Sequence, residues 1–562
     1  MSDSVQIDRR LGWIVAALAF VFYANTLSAG FTLDDVPIVK DNALVRSLAN
    51  LPEIFRTHYW EANDWVADKG LYRPLTIASY ALGEALHGAA PAGHHAANAL
   101  LHALASWLWF RVVLGLGGAR GVAFATALVF AAHPIHTEAV SGIVGRAEVL
   151  AFIGLAATLL AWERARTSSG PLWPLLTATA FFAGLLSKEI AIVAPAALLL
   201  IEALFPQRRW LLRRAPRALA TLGALALAAS AYFVLRANAI EARSVHPGWR
   251  GVESFECVAT ALRVSAEYVG LMVWPADLLG EYGVSEVRIA SGLGEARVLG
   301  ALALLAVLIA LTVWSWRRLP VVAFGLCFFA GSLLPTSNLL FPIGVLKAER
   351  ILYTPSAGFV LAAVALLAPL FARLRQPQWS ARLALALVVA AFGARTWVRN
   401  RDWENNYTLA LASERIAPNS PVLQMNLAIW YREQGQLEQA KAPLAKVIEA
   451  EPQDWKAYSM LGEIETELGE FELAVAHLRL ADQRAPGHIP VQIFLARALC
   501  QAQRFAEAVP VLEGLCRALP DNPASWANLV VALRNSGAGA RANEVAREGQ
   551  RRFPGHPAFA QQ

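Results

Sequence analysis

Two adjacent carboxylates, Asp34 and Asp35, stand a few residues after the first apolar run of the chain. Beside a membrane surface such a pair is costly to neutralise and favours a functional role. It can act as a general base, hold a metal ion, or belong to a solvated turn that caps a helix. The candidate cations are dispersed. In Tyr72-Arg73-Pro74-Leu75-Thr76, which restarts a helix after a polar loop, Arg73 suits an acid, a phosphate or plain solvent. Ser187-Lys188-Glu189 sits between two apolar runs with almost no loop, so Lys188 and Glu189 read as an ion pair near the outer surface or as a phosphate contact. Lys347-Ala348-Glu349-Arg350 precedes Tyr353-Thr354-Pro355-Ser356 at the outer mouth of a further run. Cations at that depth fit a lipid-linked phosphate or an interfacial anchor.

Histidines supply a third pattern, His133-Pro134-Ile135-His136-Thr137-Glu138, followed by Gly145-Arg146-Ala147-Glu148. His133 and His136 are three residues apart with Glu138 near, a spacing that metal ligation on a helix can use. Pro134 disrupts that regular geometry, and polar packing at the end of a span is the competing reading.

Side chains of these kinds need elements to hold them, and composition shows which medium those elements face. Of 562 residues, 56% are hydrophobic and 16% charged, with mean hydropathy +0.42, whereas soluble globular proteins carry about 25% charge. Much of the chain therefore faces lipid. The net charge of +6 comes with arginines clustered between apolar runs, with no polybasic tail and no aromatic–basic patch for stacking bases. No nucleic-acid partner is expected. Cys257, Cys327, Cys500 and Cys516 form no CxxC pair, which argues against a zinc or redox motif. Cys500 and Cys516 read as buried thiols, with a disulfide as the alternative. No small-residue cleavage site follows Leu11–Leu27, so it reads as a retained first span.

A bilayer core takes roughly 20 apolar residues of helix. Eleven runs approach that length, at 11–28, 95–114, 120–133, 147–163, 172–186, 189–205, 215–235, 297–315, 319–335, 351–372 and 380–397. Basic residues sort the gaps between them. Arg9 and Arg10, Arg111 with Arg120, Arg164 with Arg166, then Arg208, Arg209, Arg213, Arg214 and Arg217 fall on one side. Arg317 with Arg318, and Arg373, Arg375 and Arg382, complete that cytoplasmic set. Residues 258–275 break the alternation, because they carry Arg263 and Glu267 and end in Trp274-Pro275. They read as an interfacial or re-entrant helix. The opposite loops, 29–94, 236–296 and 336–350, are longer and richer in polar and aromatic residues. Within the first, Leu44–Tyr59 and Leu75–Leu86 have helical periodicity. Chemistry is expected in these loops.

After Trp397 the apolar runs stop and a period appears. Pro418, Pro452, Pro486, Pro520 and Pro554 recur every 34 residues, as do Ala440, Ala474, Ala508 and Ala542. Gly435, Gly469 and Gly537 keep the same step, with Gln503 in the third copy. A small residue permits the turn between two helices, the alanine lets them pack closely, and the proline ends each hairpin. This is the tetratricopeptide-repeat signature. The expected organisation is all-α, with a membrane domain over 1–400, a junction over 401–418 and four repeats over 419–562. Such arrays bind peptides or extended segments on a concave face, or only space and oligomerise their host. Eleven spans and a cytoplasmic start put the array outside the cytoplasm.

Taken together, several of these stretches resemble the transmembrane-and-tetratricopeptide-repeat family of O-mannosyltransferases, in a bacterial-type form. They are Asp34-Asp35, YRPLT at 72–76, HPIHTEAVSGIVGRAEVLA at 133–151, LSKE at 186–189, NLLFPIGVLKAERILYTPSAG at 338–358 and RNRDW at 399–403. The resemblance covers nearly the whole chain, and the order of the motifs is its most specific feature. It implies a polytopic GT-C glycosyltransferase fold whose first outer loop carries the acidic active-site residues. It implies a polyprenyl- or dolichyl-phosphate sugar as donor, mannose in the family, and a protein hydroxyl as acceptor. Under it Asp34 or Asp35 is the base. Arg350 is the first candidate to receive the departing phosphate, with Lys347, Arg73, Arg146 and Lys188 behind it. Tyr72, His133, His136, Glu138, Glu189, Glu349 and Tyr353 support them. Direct displacement inverts the anomeric centre, requires no cofactor, and leaves metal dependence open. The implied location is a bacterial inner membrane with periplasmic repeats, or the endoplasmic reticulum membrane in a eukaryote. Two rivals remain: a ligase or polymerase of lipid-linked oligosaccharides, and a non-catalytic scaffold that recruits partners through the repeats. A transporter is weaker, because the polar residues concentrate in outer loops rather than at mid-bilayer.

Overall fold

In lipid a backbone has only its own carbonyls to bond, so long apolar runs coil. The computed structural model describes residues 3–61, 70–168, 170–205, 215–240, 249, 251–283 and 285–559, and every regular element among them is helical. The chain divides into two units, Met1–Ile416 and Ala417–Gln562.

The first unit runs α1 (Asp3–Phe22), α2 (Leu51–Ile54), α3 (Pro74–His87), α4 (Pro91–Gly115), α5 (Arg120–Ala132), α6 (Thr137–Val140), α7 (Arg146–Thr167) and α8 (Leu172–Ser187). It continues with α9 (Ala194–Leu204), α10 (Ala215–Ala239), α11 (Ser254–Val273), α12 (Ala296–Arg318), α13 (Pro320–Leu333), α14 (Tyr353–Phe371), α15 (Pro377–Asp402) and α16 (Asn406–Glu414). All eleven apolar runs are helical, but not all at spanning length. Among the described residues seven helices are long and apolar enough to cross a membrane: Val5–Ser28, Pro91–Gly115, Ile143–Thr167, Pro216–Ala239, Ala296–Arg318, Glu349–Phe371 and Pro377–Asp402. The other four apolar runs form shorter helices. α5, α8, α9 and α13 hold 11–16 residues and reach only about 16–24 Å. Polar turns at His133-Pro134 and at Lys188-Glu189 end α5 and α8 early, which leaves site residues at helix ends. Arg208, Arg209, Arg213 and Arg214 lie outside the described residues.

Close packing comes from glycine pairs. A Cβ on Gly154 of α7 would stand 2.6 Å from Gly184 Cα of α8, and one on Gly358 of α14 would stand 2.5 Å from Gly325 O of α13. Small residues let membrane helices approach backbone to backbone. The core around them is aromatic, with Trp109, Phe152, Phe328 and Tyr353 buried in contact.

α11 (Ser254–Val273) covers most of the expected 258–275 helix. Its Thr260 Oγ1 accepts from Ala290 N at 2.8 Å, and Met272 O lies 3.0 Å from His133 Nε2. The reading of Leu75–Leu86 as helix holds in α3. Leu44–Tyr59 instead breaks into 3₁₀ turns at Ala43–Arg46 and Leu48–Asn50 and the short α2. Asn42 and Ser47 cap those turns with side-chain oxygens that accept from Leu44 N and Ala49 N, competing with a continuous helix.

The second unit is four helix pairs: α17 (Pro421–Glu433) with α18 (Leu437–Ala450), α19 (Trp455–Leu468) with α20 (Phe471–Arg484), α21 (Ile489–Gln501) with α22 (Phe505–Ala518), and α23 (Pro523–Asn535) with α24 (Gly539–Arg552). Ala440, Ala474, Ala508 and Ala542 are fully buried. The turn position is left-handed in every copy, with φ of 70° at Gly435, 82° at Gly469, 59° at Gln503 and 85° at Gly537.

Candidate functional site

The acidic loop is clamped from several sides. Gly30 N donates to Glu404 O at 2.8 Å, and Leu33 N donates to Asn406 Oδ1 at 2.8 Å. Leu33 holds φ of +46°, a strained value for a leucine that persists only where surroundings impose it. Residues 401–416, most of the expected 401–418 junction, belong to the first unit and hold this loop in place. Beyond Asp35 the chain winds into a π-helical turn over Val36–Lys40.

The two carboxylates part company here. Asp35 is fully buried, and both its oxygens are occupied. Oδ2 accepts from Thr32 N and Thr32 Oγ1 at 3.1 Å each, and Oδ1 accepts from Val144 N at 2.8 Å. It fastens the loop to the turn before α7. Burial pushes its carboxyl up to about 6, and those donors pull it back only in part. The Asp34 carboxyl is half-buried and accepts no hydrogen bond from any described residue. Burial raises it above the usual carboxylate range, opposed by the charges of Arg350 and Arg73.

Four of the expected cations are each held by a carboxylate from another segment. Arg73 pairs with Glu189 at 3.2 Å, its guanidinium 5.2 Å over the Tyr59 ring. Arg350 pairs with Glu138, which also accepts from Arg350 N at 2.7 Å. Lys188 pairs with buried Glu148; burial lowers its ammonium, and Glu148 opposes that shift. Lys347 pairs with Glu267 of α11 at 2.7 Å and lies 4.8 Å over the Tyr282 ring. These pairs fix the cations in place without making the neighbourhood strongly positive. That is why burial prevails at Asp34 and leaves it a stronger base than a surface aspartate.

Other expected site residues turn their polar atoms toward protein partners. Arg146 is 1% exposed and spends its donors inside the protein. It gives hydrogen bonds to Asn98 Oδ1 at 2.7 Å, Ser79 O at 3.1 Å and His94 O at 3.0 Å, and stacks 4.7 Å over Tyr80. It therefore offers nothing to a phosphate. His133 Nδ1 accepts from Ile135 N, so Nε2 carries the proton shared with Met272 O. His136 donates to Ser356 Oγ at 2.7 Å, because that hydroxyl donates onward to Tyr353 O. Glu138 belongs to Arg350, and the described residues contain no group of three or more metal-ligating side chains. The metal alternative for His133, His136 and Glu138 is not assembled. Tyr72 donates to Phe55 O at 2.8 Å, and the Tyr353 hydroxyl meets His102 Nδ1 at 2.8 Å inside the bundle. Buried Glu349 accepts from Leu279 N at 2.6 Å and Tyr282 Oη at 2.8 Å, which ties the 279–282 loop beside Arg350.

Sequence reasoning missed Glu148, Glu267, Tyr59 and Asn406. Glu148 stood inside a quoted motif, and Glu267 was visible only as a charge that spoiled a span. Tyr59 and Asn406 carried no signal.

Fold and site together define a multi-pass helical membrane protein with a tetratricopeptide array. The tetratricopeptide-repeat family profile matches residues 425–489 and 465–533. Over most of its length the chain is similar to curated protein O-mannosyl-transferases. TMTC3 of Mus musculus is 27% identical over 523 residues, covering 86% of this chain and 56% of that protein. Tmtc1 of Drosophila melanogaster is 27% identical over 531 residues, 78% of this chain and 61% of its own. Tmtc2 of the same fly is 40% identical over 205 residues, 35% and 21% of the two chains. The chain thus spans a little over half the length of the first of these relatives. The family resemblance that the motifs carry is the one these relatives bear. Among solved structures, MamA protein aligns with 26% of this chain and 79% of its own, at 16% identity and a TM-score of 0.25.

Proposed function

We propose that this chain is a GT-C membrane glycosyltransferase that moves a sugar, mannose by family resemblance, from a polyprenyl-phosphate donor to serine or threonine hydroxyls. Asp34 is the base. The acceptor oxygen attacks the anomeric carbon while Asp34 takes its proton, and the bond from that carbon to the phosphate oxygen breaks. The lipid phosphate leaves with the electron pair, and the configuration inverts. Arg350 and Arg73, which retain N–H groups beyond those given to Glu138 and Glu189, receive the growing phosphate charge. Lys188 and Lys347 stand behind them, and Arg146 positions the scaffold instead. The reaction side is the non-cytoplasmic one, periplasmic for a bacterial inner membrane, with the repeats there to hold the acceptor protein.

What supports this assignment is the pair of fates at positions 34 and 35: one carboxylate locked by three donors, its neighbour unbonded beside two cations. The test is transfer from synthetic polyprenyl-phosphate mannose to a hydroxyl-bearing peptide library. Asp34→Asn should lose about 10²–10⁴-fold in rate with normal folding. Wild-type rates in a well-folded Asp34→Asn protein would remove Asp34 from the chemistry. A wild type that is silent with monosaccharide donors but active with lipid-linked glycans would favour the ligase.

A further inference from the structure

A cavity of about 720 Å³ lies between α1, α4, α7 and α8. It is far from Asp34. Arg164 on its rim is eighteen residues beyond Arg146 on the same helix, a rise of about 27 Å, close to one bilayer core of about 30 Å. The cavity therefore sits at the opposite membrane interface and reaches the surface at Val5, Leu176 and Arg164.

Its lining has two kinds of surface. The inner wall is apolar, with Leu108, Leu114, Ala157 and Leu160. The interfacial rim carries Arg111 and Arg164 with the indoles of Trp107 and Trp173, and the Arg111 guanidinium lies 5.7 Å over the Trp107 ring. Two carboxylates also face it, Asp8 and Glu163, but Arg120 and Arg166 neutralise them. Among the described residues neither Arg111 nor Arg164 has a carboxylate partner. The cavity thus pairs two uncompensated cations at headgroup depth with hydrocarbon walls directly behind them. We propose that it is a binding site for one phospholipid, with the phosphate of its headgroup held by Arg111 and Arg164 and the start of its acyl chains against the leucine wall. A phosphate needs the cations, the chains need the wall, and the two indoles suit the boundary between them.

The test uses the full chain in nanodiscs with a photoreactive phosphatidylglycerol whose diazirine sits near the start of one chain, and labelled peptides are mapped by mass spectrometry. Labelling should fall on the segments around Trp107–Gly115 and Ala157–Trp173. The double variant Arg111→Gln/Arg164→Gln should reduce it by about tenfold or more, from about 1 kcal/mol per interfacial cation. A photoreactive diacylglycerol should label as weakly as the variant does. Equal labelling by diacylglycerol, or an unchanged double variant, would leave ordinary annular lipid and overturn the site. Displacement by inorganic phosphate would overturn it too, in favour of a free-anion site. As a control on folding, phosphatidylglycerol should raise the unfolding midpoint of wild type and of Arg111→Lys/Arg164→Lys, but not of the glutamine variant; equal stabilisation of all three would count against the proposal.

Discussion

The repeat unit and the membrane unit treat one type of residue differently at every turn. In the repeats, Ala440, Ala474, Ala508 and Ala542 share one environment, fully buried between paired helices, because each copy contacts only its neighbours. In the membrane unit two adjacent aspartates have opposite fates, and two arginines from quoted motifs do as well. Arg146 is sealed among Asn98, Ser79 and His94, whereas Arg350 keeps an open edge beside Asp34. Local, repeated contacts make sequence position a good guide to role. Non-local contacts remove that guide, since the partner that decides a residue's fate lies tens to hundreds of positions away.

The arginine contrast is the place to press hardest. Arg146→Met should destabilise the membrane unit by about 3 kcal/mol or more, because it strands several buried acceptors. Thermal unfolding in detergent measures this, and an unshifted midpoint would mean those bonds contribute nothing. Arg350→Gln should instead lose about 10²–10³-fold in transfer rate, as expected when one transition-state donor is removed, with a smaller shift in midpoint because Arg350 N still donates to Glu138.

A pH series separates the two aspartates. Burial pushes the folded carboxyl of Asp35 up to about 6 from the ordinary aspartate value of 3.8, so the folded state binds the proton more tightly than the unfolded one. Its contribution to stability is complete below about pH 4 and is lost as pH rises through 6, a change of about 3 kcal/mol. Asp35→Asn should flatten that slope in an unfolding series. Asp34, also raised, must be ionised to accept a proton. Transfer should therefore fall on the acid side with a limb above the ordinary carboxylate range. A limb at the ordinary position in wild type would break the link between burial and base strength.

In the repeats the expected effects are smaller and uniform. Ala474→Leu should cost about 1–3 kcal/mol by overpacking, and Ala508→Leu should match it if the copies are equivalent; a large difference between the two would break the comparison. Gln503 holds a left-handed turn with φ of 59° that its three counterparts fill with glycine. Gln503→Gly should raise stability by about 0.5 kcal/mol, read from the denaturation midpoint, and a loss would show that the glutamine side chain holds something.

The amino-acid sequence was enough to locate the apolar helices and the repeats, but not the broken turns over 44–59. Hydrophobic runs, a 34-residue period and proline or glycine punctuation are properties of the chain itself. It also named most of the polar residues that meet at the acidic end, because motifs survive as contiguous words. It did not show that α5, α8, α9 and α13 stop short of a full span, since polar ends such as Lys188-Glu189 shorten a helix only once a cluster forms to receive them. Nor did it separate Asp34 from Asp35, or reveal Glu267 as the partner of Lys347 across 80 positions. Whether a buried charge is paired, locked or left open depends on which segments the fold brings within about 4 Å of it. Only the tertiary structure decides that, because neighbours in space are set by helix packing and not by order along the chain.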